Sequence, residues 1–576
     1  MTTSAIRFVR NLVCPGVEIT KAPSTNRADW NVAVKVRDGT TLRVNIFRPF
    51  SESPVPVIMS AHPYGKDKIP AKSRSGRAPA PQTRVFPQPH SVRISEWTSW
   101  EAPDPVFWAS QGYAVVNADL RGGGKSDGVA DLFSDQEAQD YYDLIEWAGT
   151  QSWSSGRVGL DGVSYLAISQ YKVAALRPPH LAAICPWEGL SDLYRDFARP
   201  GGVREDGFSV LWSALTRRNA RVRSSIRKEI VERSERDEWY RSVTPDLERI
   251  EVPLLVCGSF SDHCLHSRGS FEVFRRAGSA RKWLYTHRDG KWCAYYGERA
   301  TQTRLRFFDH TLKGLDNGWA VEPPVRLATT ETGSESAAVT YENAWPPNDL
   351  VWRKLWLDSR TQSMTEETTP LPSASSTFAS SHRASFLWTV PADVDIIGPM
   401  ALHVFVEVRG ADDISLFAGA RKIRDGVETT FEGSYGFSGD MVSKGWQKAS
   451  HRELDSALST PEQPVHRHER IEPLRVGEIV NVQIALLPHA TRFRRGDQLR
   501  VDIRGTWPYR RDPLWGQFPA GYQPSSKATC VLHTGGSCKA YLLLGTRSFA
   551  TQSPSVAKIN SLVSRGIDVG RSPDHE

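Results

Sequence analysis

The sequence has few cysteines, and none of them is spaced as in a redox or zinc motif. Its 576 residues contain seven cysteines, with no Cys-x-x-Cys pair among them. They lie far apart, at Cys14, Cys185, Cys257, Cys264, Cys293, Cys530 and Cys538. A disulfide framework and a structural zinc site are therefore not expected, and we expect buried free thiols in a reducing compartment.

Long apolar runs are also missing. No stretch approaches the roughly 20 apolar residues that a membrane-spanning helix needs. The N-terminal stretch MTTSAIRFVRNLVCPG has Arg7 and Arg10 inside its only apolar part, which is too short and too charged for the core of a signal peptide. The sequence therefore predicts a cytoplasmic protein without a membrane partner.

Dense runs of one charge are absent as well. The 72 basic and 65 acidic residues give a formal net charge of +7, and the basic residues are scattered rather than grouped to follow a phosphate backbone. Nucleic-acid binding is therefore not expected. We expect a small-molecule substrate as the partner and leave a homo-oligomer open.

The chain is long enough for two or three domains. In residues 25–189 and 245–324, buried strands alternate with helical patterns, which predicts a parallel α/β sheet. One strand, RVGLDG, leads straight into the helical stretch SYLAISQYKVAAL. The carboxyl ends of such strands form one edge of the sheet, where ligands bind.

Two further regions have a different pattern. Residues 190–244 are charged and helix-like, which predicts a helical cap inserted into the α/β domain. Residues 325–549 contain short strands separated by Gly, Pro and Asp turns, which predicts an all-β jelly-roll domain. The tail, residues 550–576, is expected to be loosely held.

Ser164 lies in the stretch GVSY, where a predicted strand turns directly into a helix. A nucleophilic serine on such a turn is exposed above the sheet edge, close to the N–H groups of the helix N-terminus. The G-x-S-x-G pattern is incomplete, because Leu166 occupies the second glycine position. From these residues alone, Ser164 is either a nucleophile or an ordinary N-cap serine.

A nucleophilic serine needs a base and an orienting carboxylate. Asp262 follows the strand LLVCGSF, and His287 ends the stretch RKWLYTH; both are therefore expected at the sheet edge that carries Ser164. His263 and His266 compete for the role of base. The two histidines could suggest a metal site, but the sequence offers no third ligand in a matching context, so no metal is expected.

Other polar residues have structural alternatives. His310, inside an amphipathic helical stretch, is interpreted as a structural histidine, and His62, at a strand end, as a loop histidine without a special role. The stretch GGGKS, Gly122–Ser126, resembles a phosphate-binding loop poorly, because Asp119 stands where the first glycine is needed. Tyr64 is either a donor to a tetrahedral oxyanion, together with the Tyr165 backbone N–H, or a tyrosine that fills a turn.

Several motifs together resemble the CocE/NonD family of serine hydrolases, which is related to X-Pro dipeptidyl-peptidases and α-amino-acid ester hydrolases. They include GYAVVNADLRGGGKSDG, RVGLDGVSYLAISQ, GSFSDHCLHSRGSFEVF, KWLYTHRDGKW and FFDHTLKGLDNG, and in the C-terminal part LRVGEIVNVQIALLPHATRFRRGDQLRVDIRGTWP. The resemblance implies an α/β-hydrolase sheet with an inserted helical cap and a C-terminal jelly roll.

The resemblance also implies roles for single residues. It places the nucleophile at Ser164, the acid at Asp262 and the base at His287. The oxyanion donors fall on Tyr64 and the backbone N–H of Tyr165. Two more residues, Trp187 and Trp212, are candidates for the acyl pocket, with a core position as the alternative.

The expected activity is a cofactor-free hydrolysis of a small ester, or of an amide, through an acyl-enzyme intermediate. No counterpart of the acidic cluster that recognises an α-amino group is apparent, which disfavours an X-Pro or aminoacyl peptidase-like amidase. An acyltransferase or cyclase that uses the same residues is an alternative, and a non-catalytic binding protein is a third.

Overall fold

The structure is a computed structural model that describes residues 3–73, 76–262, 264–367, 370–510, 517, 519–525 and 528–549. The tail predicted at 550–576 and the candidate base His263 lie outside the described residues. Within the described ranges, no helix is both long enough and apolar enough to cross a membrane.

The strands before residue 325 form the α/β part of the molecule. They are β1 (Val17–Thr20), β2 (Asn26–Lys35), β3 (Thr41–Pro49), β4 (Val55–His62), β5 (Ala71–Ser73), β6 (Gly76–Ala78), β7 (Val92–Ser95), β8 (Ala114–Asp119), β9 (Ser154–Val163), β10 (Leu181–Trp187), β11 (Leu254–Ser259) and β12 (Lys282–His287).

Eight of these strands make one sheet, in the order β2-β3-β8-β4-β9-β10-β11-β12. The first two form the hairpin that Asp38-Gly39 predicts, and β3 runs antiparallel to β8. From β8 to β12 all neighbours are parallel. The carboxyl ends of these parallel strands therefore lie along one edge.

The helices of the described residues are α1 (Thr3–Val13), α2 (Gln82–Val85), α3 (Pro105–Ser110), α4 (Asp135–Gly149), α5 (Tyr165–Ala175), α6 (Phe208–Asn219), α7 (Ile226–Glu232), α8 (Glu238–Ser242), α9 (Ser267–Arg276), α10 (Lys291–Tyr295) and α11 (Glu298–Lys313). Helices α4 and α5 pack on one face of the sheet and α11 on the other, because the central strands are apolar on both faces.

Helices α6, α7 and α8 lie between β10 and β11, in the region that the sequence assigns to a cap. Residues of the cap reach the sheet domain. Trp212 of α6 stacks on Tyr165 at the start of α5, with the ring centroids 6.0 Å apart. The cap therefore covers the part of the sheet edge where α5 begins.

The region after residue 324 is built of strands, without a helix longer than one turn among the described residues. The strands are β13 (Val325–Thr330), β14 (Ser336–Glu342), β15 (Val351–Asp358), β16 (Ser363–Thr365), β17 (Ala374–Ala379), β18 (Arg383–Thr389), β19 (Val394–Arg409), β20 (Ser415–Arg424), β21 (Val427–Thr429), β22 (Phe431–Glu432), β23 (Ser438–Asp440), β24 (Ser443–Lys448), β25 (Val480–Phe493), β26 (Gln498–Arg504), β27 (Thr529–Thr534) and β28 (Tyr541–Ser548).

These strands pair mainly antiparallel and enclose a core of their own. Strand β19 pairs with β25, β27 and β28, and β26 lies between β18 and β20. Alternate residues point into a separate apolar cluster that includes Leu402, Phe386 and Val501. The predicted fold class is confirmed as an α/β-hydrolase sheet followed by a C-terminal all-β domain.

The glycine-rich turn after β8 binds an internal carboxylate. Asp119 accepts hydrogen bonds from the backbone N–H groups of Lys66 at 2.6 Å and Lys125 at 3.0 Å. A Cβ on Gly124 would lie 2.2 Å from Asp119 Oδ2. A glycine is required here because any side chain would clash with the Asp119 carboxylate.

Candidate active site

Ser164 occupies the sharp turn between β9 and α5. Its backbone has φ 59° and ψ −115°, a strained conformation for a residue with a side chain. Its side chain makes no capping hydrogen bond to the helix. The N-cap interpretation therefore does not describe this serine, and its hydroxyl is available for another partner.

Close packing beneath the turn explains one of its small residues. A Cβ on Gly162 would lie 2.5 Å from the Cβ of Leu166. Leu166 is fully buried in the core. Gly162 is therefore needed so that the first turn of α5 can fold back on the end of β9.

The imidazole that contacts Ser164 belongs to His266. Ser164 Oγ lies 3.1 Å from His266 Nε2, and His266 Nδ1 lies 2.5 Å from Asp262 Oδ2. Ser164 is 9% exposed, and the other two residues are each 1% exposed. A hydroxyl, an imidazole and a carboxylate thus form a continuous row of hydrogen bonds.

Asp262 and His266 are positioned by one turn of chain. Asp262 follows β11, and His266 comes directly before α9. The backbone N–H of His266 lies 3.3 Å from the carbonyl oxygen of Asp262. A spacing of four residues in a helical turn places both side chains on the same side, so the carboxylate reaches the imidazole.

The expected contact between His287 and Ser164 is corrected by the structure. His287 Nε2 lies 3.0 Å from Glu188 Oε1, and its Nδ1 accepts the backbone N–H of Asp289 at 3.1 Å. The ring also stacks on Trp187, with the centroids 5.9 Å apart. Since both ring nitrogens have other partners, His287 has none left for the serine hydroxyl.

Sequence reasoning considered His266 only as a competitor and missed two other residues. Lys291 and Glu188 follow β12 and β10, at the edge where parallel strands end. Lys291 Nζ lies 2.6 Å from Asp262 Oδ2 and 2.9 Å from His266 Nδ1. His266, Lys291 and Glu188 share one sequence signal, since each is a titratable residue shortly after a buried parallel strand.

The charges at the site stabilise the Asp262 carboxylate. Burial alone would raise the pKa of Asp262, but the Lys291 ammonium and the His266 imidazole hold it well below its usual range. Burial and the Lys291 charge lower the pKa of His266, against the opposing effect of Asp262. A neutral imidazole and an ionised carboxylate are the protonation states that proton abstraction from a serine requires.

Tyr64 lies beside Ser164. Its hydroxyl accepts the indole N–H of Trp212 at 3.0 Å and also contacts the Ser164 side chain. Burial raises the pKa of Tyr64 above its usual value, so the phenol is neutral. Because Trp212 can only donate, the phenolic proton of Tyr64 points elsewhere and can be donated.

Tyr165 begins α5, where backbone N–H groups have no acceptor within the helix. Its hydroxyl donates to Glu137 at 2.7 Å, which fixes the residue at the turn. The backbone N–H of Tyr165 and the hydroxyl of Tyr64 are therefore two donors close to Ser164.

The two tryptophans that are candidates for the acyl pocket have different surroundings in the structure. Trp212 packs over Tyr165 and contacts Tyr64, next to Ser164. Trp187 is fully buried, and the guanidinium of Arg304 lies 5.6 Å from its ring centroid. Trp187 therefore has the core position that was its alternative interpretation.

Two other histidines have structural surroundings. His62 is fully buried, with Nε2 3.0 Å from Asn117 Oδ1, and burial lowers its pKa to about 4. His310 Nδ1 lies 3.3 Å from the carbonyl oxygen of Leu315, at the end of α11. In the described part of the chain, neither histidine forms a hydrogen bond with Ser164.

Among the described residues, two buried groups bring metal-ligand atoms within 4.8 Å of one another, and both include Glu188. One adds Cys257 and His287, and the other adds Asp262 and His266. The ammonium of Lys291 lies 4.0 Å from Glu188 Oε2 and opposes a second cation at the same carboxylate. The donors therefore fit an internal hydrogen-bond network better than a metal site.

Comparison with known families agrees with the architecture. Residues 38–239 match the X-Pro dipeptidyl-peptidase (S15) family, and residues 317–543 match the X-Pro dipeptidyl-peptidase C-terminal non-catalytic domain. A CocE/NonD family hydrolase from Staphylococcus aureus superimposes with a TM-score of 0.85 at 35% identity, over 90% of this chain and 93% of that one. The chain belongs to the CocE/NonD family of hydrolases.

More distant relatives share parts of the chain. Cocaine esterase from a Rhodococcus species is 27% identical over 354 residues, which are 52% of this chain and 57% of that protein. The chain spans about half the length of the curated relatives it matches. An α-amino acid ester hydrolase has a TM-score of 0.67 at 16% identity, over 93% of this chain and 99% of that one, which shows the fold alone.

Proposed function

We propose that this CocE/NonD protein hydrolyses a small carboxylic ester through an acyl-enzyme intermediate, with Ser164 as nucleophile, His266 as base and Asp262 as the orienting carboxylate. The observation that carries the proposal is the unbroken row from Ser164 Oγ to His266 Nε2 and from His266 Nδ1 to Asp262 Oδ2, at 3.1 and 2.5 Å. An isolated helix-cap serine needs no such row.

In the first step, Ser164 Oγ attacks the acyl carbon while its proton moves to His266 Nε2. The ester carbonyl oxygen becomes an oxyanion, which the Tyr64 hydroxyl and the Tyr165 backbone N–H are positioned to stabilise. His266 then gives the proton to the leaving alcohol, and the acyl group stays on Ser164. Throughout, the Nδ1 proton stays on His266 and is donated in a hydrogen bond to the Asp262 carboxylate.

In the second step, water attacks the acyl carbon and loses a proton to His266 Nε2. The acid leaves, and the same proton returns to Ser164 Oγ. The step therefore balances with water alone as co-reactant. Cap residues such as Trp212 limit solvent at the turn, since the nucleophile is only 9% exposed.

An ester is favoured over an amide by the neighbouring groups. An amide requires protonation of a more basic leaving nitrogen in the transition state. An alcohol leaves more readily than an amine, so an ester needs less activation of the serine by His266, whose basicity burial and Lys291 reduce by lowering its pKa. We place small esters first and amides second on that ground.

The test is turnover of p-nitrophenyl esters of graded chain length by the wild type and Ser164→Ala. The wild type is expected to release a burst of p-nitrophenol equal to the enzyme concentration, and the variant no burst and no turnover above background. Ser169→Ala is the matched control, because Ser169 lies on the same helix and its hydroxyl donates to the backbone carbonyl of Ala61 at 3.4 Å. Full activity in Ser164→Ala would refute the proposal.

Product analysis separates hydrolysis from acyl transfer. With water as the only acceptor, the free acid is expected in the same amount as the released alcohol. An added alcohol or amine that captures most of the acyl group at low concentration would instead favour an acyltransferase with the same residues.

A further inference from the structure

The side chain of Lys291 places a buried ammonium against the proposed triad. Its Nζ lies 2.6 Å from Asp262 Oδ2 and 2.9 Å from His266 Nδ1, and its side chain is 1% exposed. The hydrolysis described above requires only a hydroxyl, an imidazole and a carboxylate. The cation is therefore an additional component of this site.

The surroundings keep Lys291 charged. Three carboxyl groups face it, from Asp262, from Glu188 with Oε2 4.0 Å away, and from Glu101. Burial would lower the pKa of Lys291, but these carboxyl groups raise it. The ring of Tyr435, from the C-terminal domain, lies 4.7 Å from Nζ and adds a cation–π contact.

Two partners compete for one nitrogen of His266. When Nδ1 carries a proton, it donates to Asp262, and Nε2 is free to accept the Ser164 proton. If Lys291 donated to Nδ1 instead, the proton of a neutral ring would lie on Nε2, which could then only donate to Ser164. Proton abstraction from Ser164 thus requires that the ammonium bond to Asp262 and not to the ring.

We propose that Lys291 is a positioning residue that anchors the Asp262 carboxylate, so that His266 holds its proton on Nδ1, and that its charge keeps the His266 ring neutral under acidic conditions. This inference rests on the proposed function. It adds a residue that the sequence motifs do not mark as part of a triad.

The direction of the pH effect follows from the charges around His266. Burial and the Lys291 ammonium lower its pKa, whereas Asp262 and Glu188 raise it. A base is active only when unprotonated, so activity is lost as the pH falls through the pKa of His266. Removal of the Lys291 charge raises this pKa and moves the loss of activity to higher pH.

The experiment measures kcat/KM against pH for the wild type, Lys291→Met and Lys291→Arg with a p-nitrophenyl ester. In Lys291→Met the acidic limb is expected to move up by about one pH unit or more, the size of shift that a charge in direct contact produces. Lys291→Arg keeps the charge and is expected to keep the limb near its wild-type position, even if kcat falls. An unchanged or downward-shifted limb in folded Lys291→Met would overturn the inference.

A second variant and a second measurement cover loss of folding. Lys291→Gln keeps a donor to Asp262 but no charge, and it is expected to show the same upward shift. In the wild type, ¹⁵N NMR of the His266 ring, assigned by the loss of its signals in His266→Gln, is expected to show the proton on Nδ1. A neutral ring with its proton on Nε2 would overturn the inference without any variant of Lys291.

Failure of this inference is distinct from failure of the proposed function. If Ser164→Ala is inactive while Lys291→Met keeps the wild-type acidic limb, only the role of Lys291 is wrong. If Ser164→Ala is fully active, the proposed triad itself is wrong.

Discussion

His287 and Glu188 form a buried pair in the candidate active site, with His287 Nε2 3.0 Å from Glu188 Oε1. Since Nδ1 of the same ring accepts the N–H of Asp289, the neutral ring carries its proton on Nε2 and donates it to Glu188. Both ring nitrogens of His287 therefore have partners other than Ser164. The imidazole directed at Ser164 is the other one, from His266.

The two histidines are therefore expected to respond differently to the same substitution. His266→Gln should lower kcat by about 10³-fold or more, since an amide cannot take the serine proton. His287→Gln can still donate to Glu188 and should keep kcat within about tenfold of the wild type, since it touches no reacting atom. Steady-state kinetics of both variants, with melting curves to verify folding, provides the comparison.

The reverse pattern would be decisive against the assignment. A large loss in His287→Gln together with near wild-type activity in His266→Gln would restore the base that the family resemblance implies.

Tyr64 is expected to contribute to the chemical step rather than to binding. Tyr64→Phe should lower kcat by about 10²-fold, the cost of removing one oxyanion donor, with a smaller change in KM. Trp212→Phe is the comparison variant, because it removes the N–H that Tyr64 accepts at 3.0 Å while it keeps an aromatic ring, and it should cost less. An unchanged kcat in Tyr64→Phe would make the tyrosine a packing residue only.

A buried ion pair supports β9, the strand that ends directly before Ser164. Arg304 Nη1 on α11 lies 2.5 Å from Asp161 Oδ2 on β9, and both side chains are at most 2% exposed. Arg304→Met leaves the carboxylate buried without its cation, which costs about 3–5 kcal/mol, and should lower Tm by roughly 10 °C.

Arg306→Met on the same helix is the control. Its ion pair with Glu322 is partly exposed, at 44% and 22%, and pairs of this kind contribute at most about 1 kcal/mol. Equal Tm values for the two variants would contradict the importance of the buried pair. Calorimetry that resolves the transition of the α/β domain is the suitable measurement.

Much of the fold is predictable because it depends on periodicity. The hairpin around Asp38-Gly39, the alternation of strand and helix and the change to short strands after residue 324 are all visible in the order of apolar residues. The same pattern places Ser164 and Asp262 at one edge of the sheet, since Ser164 directly follows β9 and Asp262 lies in the loop directly after β11.

The periodicity of apolar residues does not show in which direction a side chain points at the end of a strand. His287 ends β12 and thus lies at the expected edge, but its ring turns to Trp187 and Glu188. The useful signal is the spacing of four residues between Asp262 and His266, which a helical turn converts into a contact. The position of the Trp187 side chain is likewise not predictable from the sequence, because an aromatic ring suits both a core and a substrate pocket.

The most direct test of the central claim is labelling by a fluorophosphonate probe, mapped by mass spectrometry of the peptide that contains Ser164. The account predicts rapid modification of Ser164 in the wild type and in His287→Gln, and little or none in His266→Gln. Undiminished labelling of Ser164 in folded His266→Gln would contradict it.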